Sequence, residues 1–211
     1  MNKKFVIVVV LVISVLCILV YALSVHVHTD NKITARTPIG IGVRGNVPDD
    51  APPKKEMKNF SIPIPGVLSR SGQPSMSSFR WLRDNGWKSV VSLRQDGEKG
   101  DAIDSSLSGF NELGFNFLSI PVKDGSVPTE QQAIEFLQFM SNRNNLPAHI
   151  HCAAGVGRTG VFLVVYRYSI EGYSMNEAIE EMKLFRDDDI SKEQREFFTT
   201  WEKNHIPGDG I

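Results

Sequence analysis

The sequence predicts an α/β fold in three layers, with a mainly parallel central sheet flanked by helices. Beyond Phe60, short apolar segments alternate with longer ones whose apolar residues recur at helical spacing. Strands joined through helices form mainly parallel sheets that carry helices on both faces. Ligands of such sheets bind at the carboxyl ends of the strands, so functional residues are expected on the loops that follow them.

The first half of this pattern contains two strands and two helices. A short strand at Val67–Arg70 precedes a helix over Ser75–Asn85, which Gly86 ends. Lys88–Leu93, with Val90 and Val91 at its centre, is predicted to be a buried strand. Asp101–Leu113 has a weaker helical pattern. One face of the first helix is apolar and carries Met76, Phe79, Trp81 and Leu82.

The second half repeats the alternation. Phe115–Ile120 is a strand rich in aromatic residues, and Thr129–Asn142 is a helix that Thr129 caps. An apolar strand at Pro147–Ile150 and a helix at Val161–Ile170 enclose a loop that contains glycines. The final helices are predicted at Ser174–Phe185 and Ser191–Asn204.

The N-terminal segment differs from the rest of the chain. An uncharged, largely apolar run extends from Phe5 to Val25 and follows Lys3 and Lys4. A helix needs about 20 apolar residues to span a bilayer, so residues 1–25 are predicted to be a membrane anchor or uncleaved signal. Cleavage near Ser24 is the alternative. The lysines favour a cytoplasmic N-terminus, with the remaining chain on the extracytoplasmic, periplasmic side of the cell membrane.

Composition bounds the remaining chain. Residues 26–59, rich in proline and glycine, are predicted to be a flexible linker, and 60–206 a single domain. The net charge of −1 gives no support for a nucleic-acid partner. The sequence shows no cluster of metal ligands, and neither a metal nor a cofactor is expected. Cys152 is the only cysteine outside the apolar N-terminal segment, which is compatible with an oxidising compartment.

Ten residues, His151–Gly160 (HCAAGVGRTG), concentrate the chemistry. Cys152 follows a predicted strand, and Arg158 stands six positions later, just before a predicted helix. Backbone N–H groups and the helix dipole at such a junction bind dianions and stabilise a thiolate. Arg158 can hold two oxygens of a tetrahedral anion in its planar fork. Phosphoryl transfer through a phosphocysteine follows, with a phosphate cradle made by Ala153, Ala154, Gly155, Val156, Gly157 and Arg158.

The motif His-Cys-x5-Arg-Thr resembles the signature of the protein tyrosine phosphatase superfamily, in its small dual-specificity branch. Leu68–Ser75 and Gly86–Arg94 also resemble segments of bacterial, fungal and plant atypical dual-specificity phosphatases. The similarity covers roughly Phe60–Asn204. It implies a cysteine-phosphatase fold and metal-independent hydrolysis of phosphotyrosine, and also of phosphoserine or phosphothreonine.

The general acid is expected on the loop after Ile120. Asp124 resembles the acid of the family, because its loop has the same position in the order of elements. A simple turn with Gly125 is the alternative. Asp96 and Asp101, after the preceding strand, are rival acids.

Four further residues have two interpretations each, and a fifth has no assigned role. Thr159 donates to the thiolate or caps the helix, and His151 orients the loop or is a core residue. Arg70 and Arg94 widen the positive field or form structural ion pairs. The role of Gln194 is open.

The substrate is constrained only by the side chains between Cys152 and Arg158, none of which is basic. Members of the similar family that cleave highly phosphorylated inositols tend to carry Lys, Arg or His in this loop. The resemblance therefore favours phosphotyrosine or a general phosphomonoester, on a protein or a small molecule, over such inositols. A small-molecule or inositol phosphate phosphatase remains an alternative, as do a sulfurtransferase and a non-catalytic phosphate-binding module.

Overall fold

The computed structural model describes residues 45, 47–98, 110 and 112–210. Their strands form one sheet in the order β1-β2-β5-β3-β4. β2, β5, β3 and β4 pair in parallel, and only β1 runs antiparallel to its neighbour. The predicted, mainly parallel sheet is therefore confirmed. Its strands are β1 (Ser61–Ile64), β2 (Leu68–Ser71), β3 (Ser89–Ser92), β4 (Asn116–Ser119) and β5 (Ala148–His151).

Strand β1 was not predicted from the sequence. It contains Pro63, which cannot donate a backbone hydrogen bond and is unfavourable inside a sheet. The strand lies at the edge and pairs only with β2, through Ser61 with Arg70 and Ile64 with Leu68. An edge position tolerates proline, which is why the local pattern and the observed element disagree.

Most helices begin with a serine or threonine cap. In α1 (Met76–Asp84), α2 (Glu130–Ser141), α4 (Met175–Lys183) and α5 (Lys192–Asn204), a hydroxyl accepts a hydrogen bond from a first-turn N–H. The caps are Ser75, Thr129, Ser174 and Ser191.

Helix α3 (Gly157–Ser169) is the exception. Its cap residue, Val156, makes no side-chain hydrogen bond to the helix. The predicted start at Val161 is wrong by one turn, because the glycine-containing loop winds directly into the helix. The first N–H groups of α3 are therefore not occupied by a cap and can serve an anion.

Helices pack on both faces of the sheet. Neighbouring residues of β3 point to opposite sides, and Val90 and Val91 belong to different hydrophobic clusters. The cluster around Val91 includes Phe136 of α2 and Phe162 of α3. The cluster around Val90 includes Phe79 of α1. Every residue of α3 from Arg158 to Ser169 is buried, as expected for a helix that is largely apolar all round.

Residues near the predicted boundary between linker and domain, at residue 59, pack against the domain. Met57 is buried in the same cluster as Phe79, and the carbonyl of Lys58 accepts the N–H of Gly72 at 2.7 Å. Prolines such as Pro52 and Pro53 break helical and strand patterns, but turns that contain proline can pack as tightly as regular elements. The packed structure therefore includes residues assigned to the linker.

Several predictions concern residues outside the described ranges. These are the membrane segment at 1–25, most of the linker, the rival acid Asp101 and most of the helix at 101–113. Within the described residues, no helix has the length and apolar character needed to cross a bilayer.

Candidate active site

Cys152 follows β5, a central strand of the sheet. β5 lies between β2 and β3, and His151 pairs with Ser71 on one side and Ser92 on the other. Cys152 is therefore at the carboxyl edge of the parallel strands, as the sequence predicts. Its side chain is buried, and the N–H of Gly155 points to Sγ at 3.3 Å. A backbone donor at this distance stabilises negative charge on sulfur.

The residues Cys152–Arg158, here called the anion loop, are held from outside by their carbonyl groups. The backbone N–H of Gln73 donates to the carbonyl of Ala153 at 3.0 Å. Asn59 Nδ2 donates to the carbonyl of Ala154 at 3.0 Å, and Arg70 donates to the carbonyl of Gly155. The three donors belong to residues 59–73, here called the flanking segment. A peptide unit directs its N–H opposite to its carbonyl, so these three bonds orient loop N–H groups away from the flanking segment. The loop is thereby prepared to bind an anion.

Two glycines allow the flanking segment to approach the loop. Gly155 has φ +72°, and a Cβ atom there would lie 2.3 Å from the nitrogen of Gly72. A Cβ atom on Gly72 would lie 2.8 Å from the carbonyl oxygen of Ala153. Both positions therefore require glycine. This contact gives the Leu68–Ser75 segment, which also resembles the family, a structural role next to the cysteine motif.

The guanidinium of Arg158 is anchored at the ends of two strands. Its Nη1 donates to the carbonyl of Leu93, just after β3, at 3.2 Å, and to the carbonyl of Val122, beyond β4, at 2.9 Å. The side chain is almost fully buried. The sheet edge thus fixes the orientation of the fork before any ligand binds, which lowers the cost of ordering it.

Glu98 neutralises this buried charge. Its carboxylate bonds both terminal nitrogens of Arg158, with Oε2 at 3.0 Å from Nη2. The hydrogen bond from Arg158 is the main cause that lowers the pKa of Glu98 to about 2, so its carboxyl group is ionised at neutral pH. Burial lowers the pKa of Arg158, but bonding to Glu98 and attraction to Cys152 and Asp124 outweigh that effect and raise it.

The Arg158 fork keeps one donor that is not used within the described residues. Its Nε is buried and has no hydrogen-bond partner among the described residues. Glu98 occupies the edge between Nη1 and Nη2. An anion that binds through Nε and Nη2 would therefore find a fork that is already oriented and a donor that is not yet used.

Asp124 makes a turn and also reaches the site. The N–H of Ser126 bonds the carbonyl of Lys123 at 3.0 Å, and Gly125 has φ +76°. The Asp124 carboxylate lies 3.0 Å from Nη2 of Arg158, while 80 % of its side chain is exposed. Asp124 therefore lies in a turn and also next to Arg158, and its role as general acid remains a prediction. Of the rival acids, Asp96 is exposed on the loop after β3.

A buried histidine connects β5 to β2 beneath the loop. The hydroxyl of Ser71 donates to the carbonyl of Gly72, so its oxygen accepts from Nε2 of His149 at 2.9 Å. Nδ1 of His149 then accepts from Ser69 at 2.8 Å. Burial, with a smaller repulsion from His151, holds the pKa of His149 well below its usual range, so the ring is neutral. The chain of bonds supports the backbone next to Gly72.

Of the predicted supporting residues, His151 and Thr159 lie inside the protein. The ring of His151 packs between Phe79, at 5.7 Å, and His149, at 6.1 Å. Thr159 does not cap α3, because the cap position is Val156. Its hydroxyl is buried and has no hydrogen-bond partner among the described residues, so donation to the thiolate remains a prediction.

The two predicted arginines and Gln194 have defined contacts. Arg94 forms an ion pair with Glu98 at 3.3 Å, as the structural interpretation expects. Arg70 contacts the anion loop directly, and its guanidinium lies 3.8 Å from the ring centre of Phe185. The Gln194 carbonyl accepts from Arg186, at 2.8 Å, and from the backbone of Ser191.

The sequence prediction missed three residues of this site. Glu98 lies between the proposed rivals Asp96 and Asp101, but no local pattern shows which carboxylate of a loop turns inward. Asn59 and His149 contact partners 95 and 78 to 80 residues away in sequence. Alternation gave a partial signal for His149, since it lies two positions before His151 and on the same face of β5.

A family model described as "DSP-PTPase phosphatase fused to NAD+ Kinase" matches residues 56–200, more than half of the chain. The chain belongs to this DSP-PTPase phosphatase family. The match includes the flanking segment, the anion loop and α3. It begins at residue 56, in agreement with the packing of Met57.

Curated relatives are similar over part of their length. "Probable NAD kinase 2, chloroplastic" of Oryza sativa subsp. japonica is 30 % identical over 118 residues, which are 56 % of this chain and 11 % of the plant protein. "Dual specificity protein phosphatase TpbA" of Pseudomonas aeruginosa is 27 % identical over 117 residues, 56 % of this chain and 50 % of TpbA. The chain thus spans about a tenth of the one and half of the other.

Solved structures share the fold of this member of the DSP-PTPase phosphatase family. Tk-PTP in its active form is 27 % identical, with a TM-score of 0.57 over 65 % of this chain and 92 % of Tk-PTP. TpbA in complex with phosphotyrosine, as a cysteine-to-serine variant, is 22 % identical, with a TM-score of 0.54 over 72 % of this chain and 91 % of TpbA. The α/β fold with a mostly parallel sheet is therefore that of the protein tyrosine phosphatases.

Proposed function

We propose that this protein hydrolyses phosphomonoesters of proteins, phosphotyrosine above all and also phosphoserine or phosphothreonine, through a phosphocysteine intermediate. The observation that carries the proposal is the combination at the start of α3. The sulfur of Cys152 accepts a hydrogen bond from a backbone N–H of the anion loop, and the helix that follows this loop has no side-chain cap. The guanidinium of Arg158 is held in place by the sheet edge, and its buried Nε has no partner among the described residues. These groups match a nucleophile and the equatorial oxygens of a phosphoryl group.

In the first step, the Cys152 thiolate attacks phosphorus while Arg158 and the loop N–H groups hold the non-bridging oxygens. The sulfur–phosphorus bond forms as the bond from phosphorus to the ester oxygen breaks. Asp124, in its protonated form, gives its proton to the leaving phenol or alcohol oxygen. The exposed position of Asp124 and its contact with Arg158 are compatible with access to both solvent and the bound phosphoryl group.

In the second step, water attacks the phosphorus of phosphocysteine. The Asp124 carboxylate, left by the first step, accepts a proton from this water. The sulfur–phosphorus bond breaks, inorganic phosphate leaves, and Cys152 returns as a thiolate with Asp124 again protonated. Glu98 does not carry the proton, since its low pKa keeps it ionised against Arg158.

A cavity beside the anion loop supports a substrate with one phosphate. The cavity has a volume of about 590 Å³ and is lined in part by Val156, Arg186, Asp187 and Asp188. The lining arginine already bonds Asp188 at 3.1 Å. Two carboxylates and one paired arginine would repel a second phosphate more than they attract it. This argues against highly phosphorylated inositols, in agreement with the absence of basic side chains within the loop.

The proposal is tested by hydrolysis of p-nitrophenyl phosphate by the full chain, with a metal chelator present. Cys152→Ser should abolish turnover but still bind vanadate, since the cradle does not depend on the nucleophile. Arg158→Lys should also lose most of its rate, because an ammonium group cannot replace the bidentate fork. Arg195→Lys is the matched control, since Arg195 is half exposed and bonds Asp189 on the surface.

An acid quench during turnover should also trap one phosphoryl group on Cys152, detectable by mass spectrometry. Parent-level rates for Cys152→Ser or Arg158→Lys would contradict the mechanism. Absence of turnover for every aryl and alkyl phosphate tested would favour a binding module, and a persulfide on Cys152 would favour sulfur transfer.

A further inference from the structure

Another cavity, of about 400 Å³, lies between the start of α2 and the exposed side of α5. Its apolar residues Val127 and Phe197 are half-buried and Trp201 is buried, so they form the floor. The carboxylates are exposed and therefore form the rim. We call this cavity the acidic groove; its rim residues are Glu130, Glu193 and Glu196.

The rim carries more negative than positive charge. Among the described residues, Glu130 pairs with His205 at 2.9 Å, and Glu196 with Lys192 at 3.6 Å. Lys192 is 83 % exposed, so this second pair is weak. No salt bridge to Glu193 is found in the described part of the chain. An apolar floor beneath one carboxylate without a salt bridge, Glu193, and one in a weak pair, Glu196, suits a ligand with an aliphatic stem and a cationic end.

The acidic groove is next to the candidate active site. Val127 is three residues after Asp124, and three residues span at most about 11 Å of chain. On the other wall, Glu193 is adjacent to Gln194, whose Nε2 lies 3.9 Å from the position of a Cβ atom on Gly157. A substrate whose phosphate sits in the anion loop would therefore have its neighbouring residues close to the groove.

We propose that the acidic groove binds a lysine or arginine side chain of a phosphorylated protein, a few residues from the phosphorylated one. This inference rests on the proposed phosphatase function. The aliphatic stem would cover Phe197 and Trp201, and the charged end would reach Glu193 and Glu196. An extended peptide advances about 3.3 Å per residue, so the basic residue is expected two to four positions from the phosphotyrosine. Charge complementarity of this kind gives specificity and faster association.

The test uses the full chain and phosphotyrosine peptides with a neutral background, in which one lysine is moved through the flanking positions. The value of kcat/KM should rise about three- to tenfold when the lysine is two to four positions away on one side, the size that one or two exposed ion pairs supply. The double variant Glu193→Gln/Glu196→Gln should lose this preference. Rates with p-nitrophenyl phosphate, which has no flanking residue, should stay the same.

The matched control is Glu135→Gln/Glu202→Gln, which removes the same charge at exposed positions outside the groove and should keep the preference. The preference should also weaken from low salt to 0.5 M salt, because screening shortens the reach of exposed charges. A preference that is absent in the parent protein, or that survives in the groove variant or at high salt, overturns the proposal.

Measurements of peptide binding distinguish a failure of this inference from a failure of the proposed function. If the peptides are not hydrolysed at all, their affinities for Cys152→Ser, measured by calorimetry, test the groove without chemistry. Tighter binding of the peptide with a suitably placed lysine supports the groove even though the proposed function has failed. Equal affinities for all peptides overturn it.

Discussion

Replacing Glu98 with glutamine tests whether the Arg158 fork depends on an ion pair that was not expected from the sequence. The change keeps the shape of the side chain but removes its charge. Arg158 would then remain buried with its carbonyl contacts to Leu93 and Val122, but the exposed Asp124 carboxylate would be the remaining counter-charge on its terminal nitrogens among the described residues. Breaking a buried pair by removing one partner is more costly than removing both.

The magnitude follows from the pKa of Glu98, which is lowered from 4.5 to about 2. At about 1.4 kcal/mol per pH unit, this corresponds to about 3 kcal/mol of interaction. One fifth of the side chain is exposed, so solvent screening reduces the expected loss to about 1–2 kcal/mol. A carboxyl group with a lowered pKa stabilises the folded state above its unfolded pKa, near 4.5, and loses that contribution as the pH falls towards 2.

The assay is urea unfolding of the parent protein and Glu98→Gln at pH 7 and again at pH 3. The difference in free energy of unfolding should be about 1–2 kcal/mol at pH 7 and clearly smaller at pH 3. Glu135→Gln, an exposed position, should match the parent at both pH values. A loss for Glu98→Gln that is equal at both pH values would refute the reasoning, because it would come from packing rather than charge.

Three other perturbations test separate parts of the site. Gly72→Ala should weaken vanadate binding about tenfold or more, measured by titration, because the added methyl meets the Ala153 carbonyl and overpacking costs about 1–3 kcal/mol; unchanged affinity would contradict the close approach. Asp124→Asn should lower kcat for hydrolysis of alkyl phosphates by about 10²–10⁴-fold and that of nitrophenyl phosphate much less, since only poor leaving groups need the proton. Equal losses of kcat for both esters would show that Asp124 only forms its turn. We propose an extracytoplasmic location, so a reporter active only outside the cytoplasm should be active when fused after Ile211, and activity of a cytoplasmic reporter instead would reverse the orientation.

Local patterns were sufficient for the strand–loop–helix unit at the centre of the site. The spacing of Cys152 and Arg158, the apolar strand before them and the helix after them are all encoded within about 25 residues. Helix starts could also be predicted. Thr129 was predicted as a cap, and the helices capped by Ser174 and Ser191 begin within one residue of the predicted starts. Such features depend on neighbours in sequence, so their physical causes are visible there.

Features that depend on distant partners could not be predicted. Whether Glu98 faces solvent or Arg158 is decided by a contact across 60 residues. Strand β1 carries a proline and is stabilised only by β2, so its own composition argues against it. The early start of α3 follows from the tertiary setting of the anion loop, whose glycines have no strong helical preference of their own.

The supports of the anion loop have a consequence for how the chain can be divided. Asn59, Arg70 and Gln73 all precede α1, whereas the groups assigned to chemistry lie between residues 98 and 158. A fragment that begins at Met76 would therefore keep every reactive group and lose β1, β2 and all three bonds that orient the loop carbonyls. Such a fragment would carry the signature motif but would lack the pre-formed cradle. Complementation with a separate peptide that contains residues 47–75 would then restore anion binding without supplying a single reactive atom.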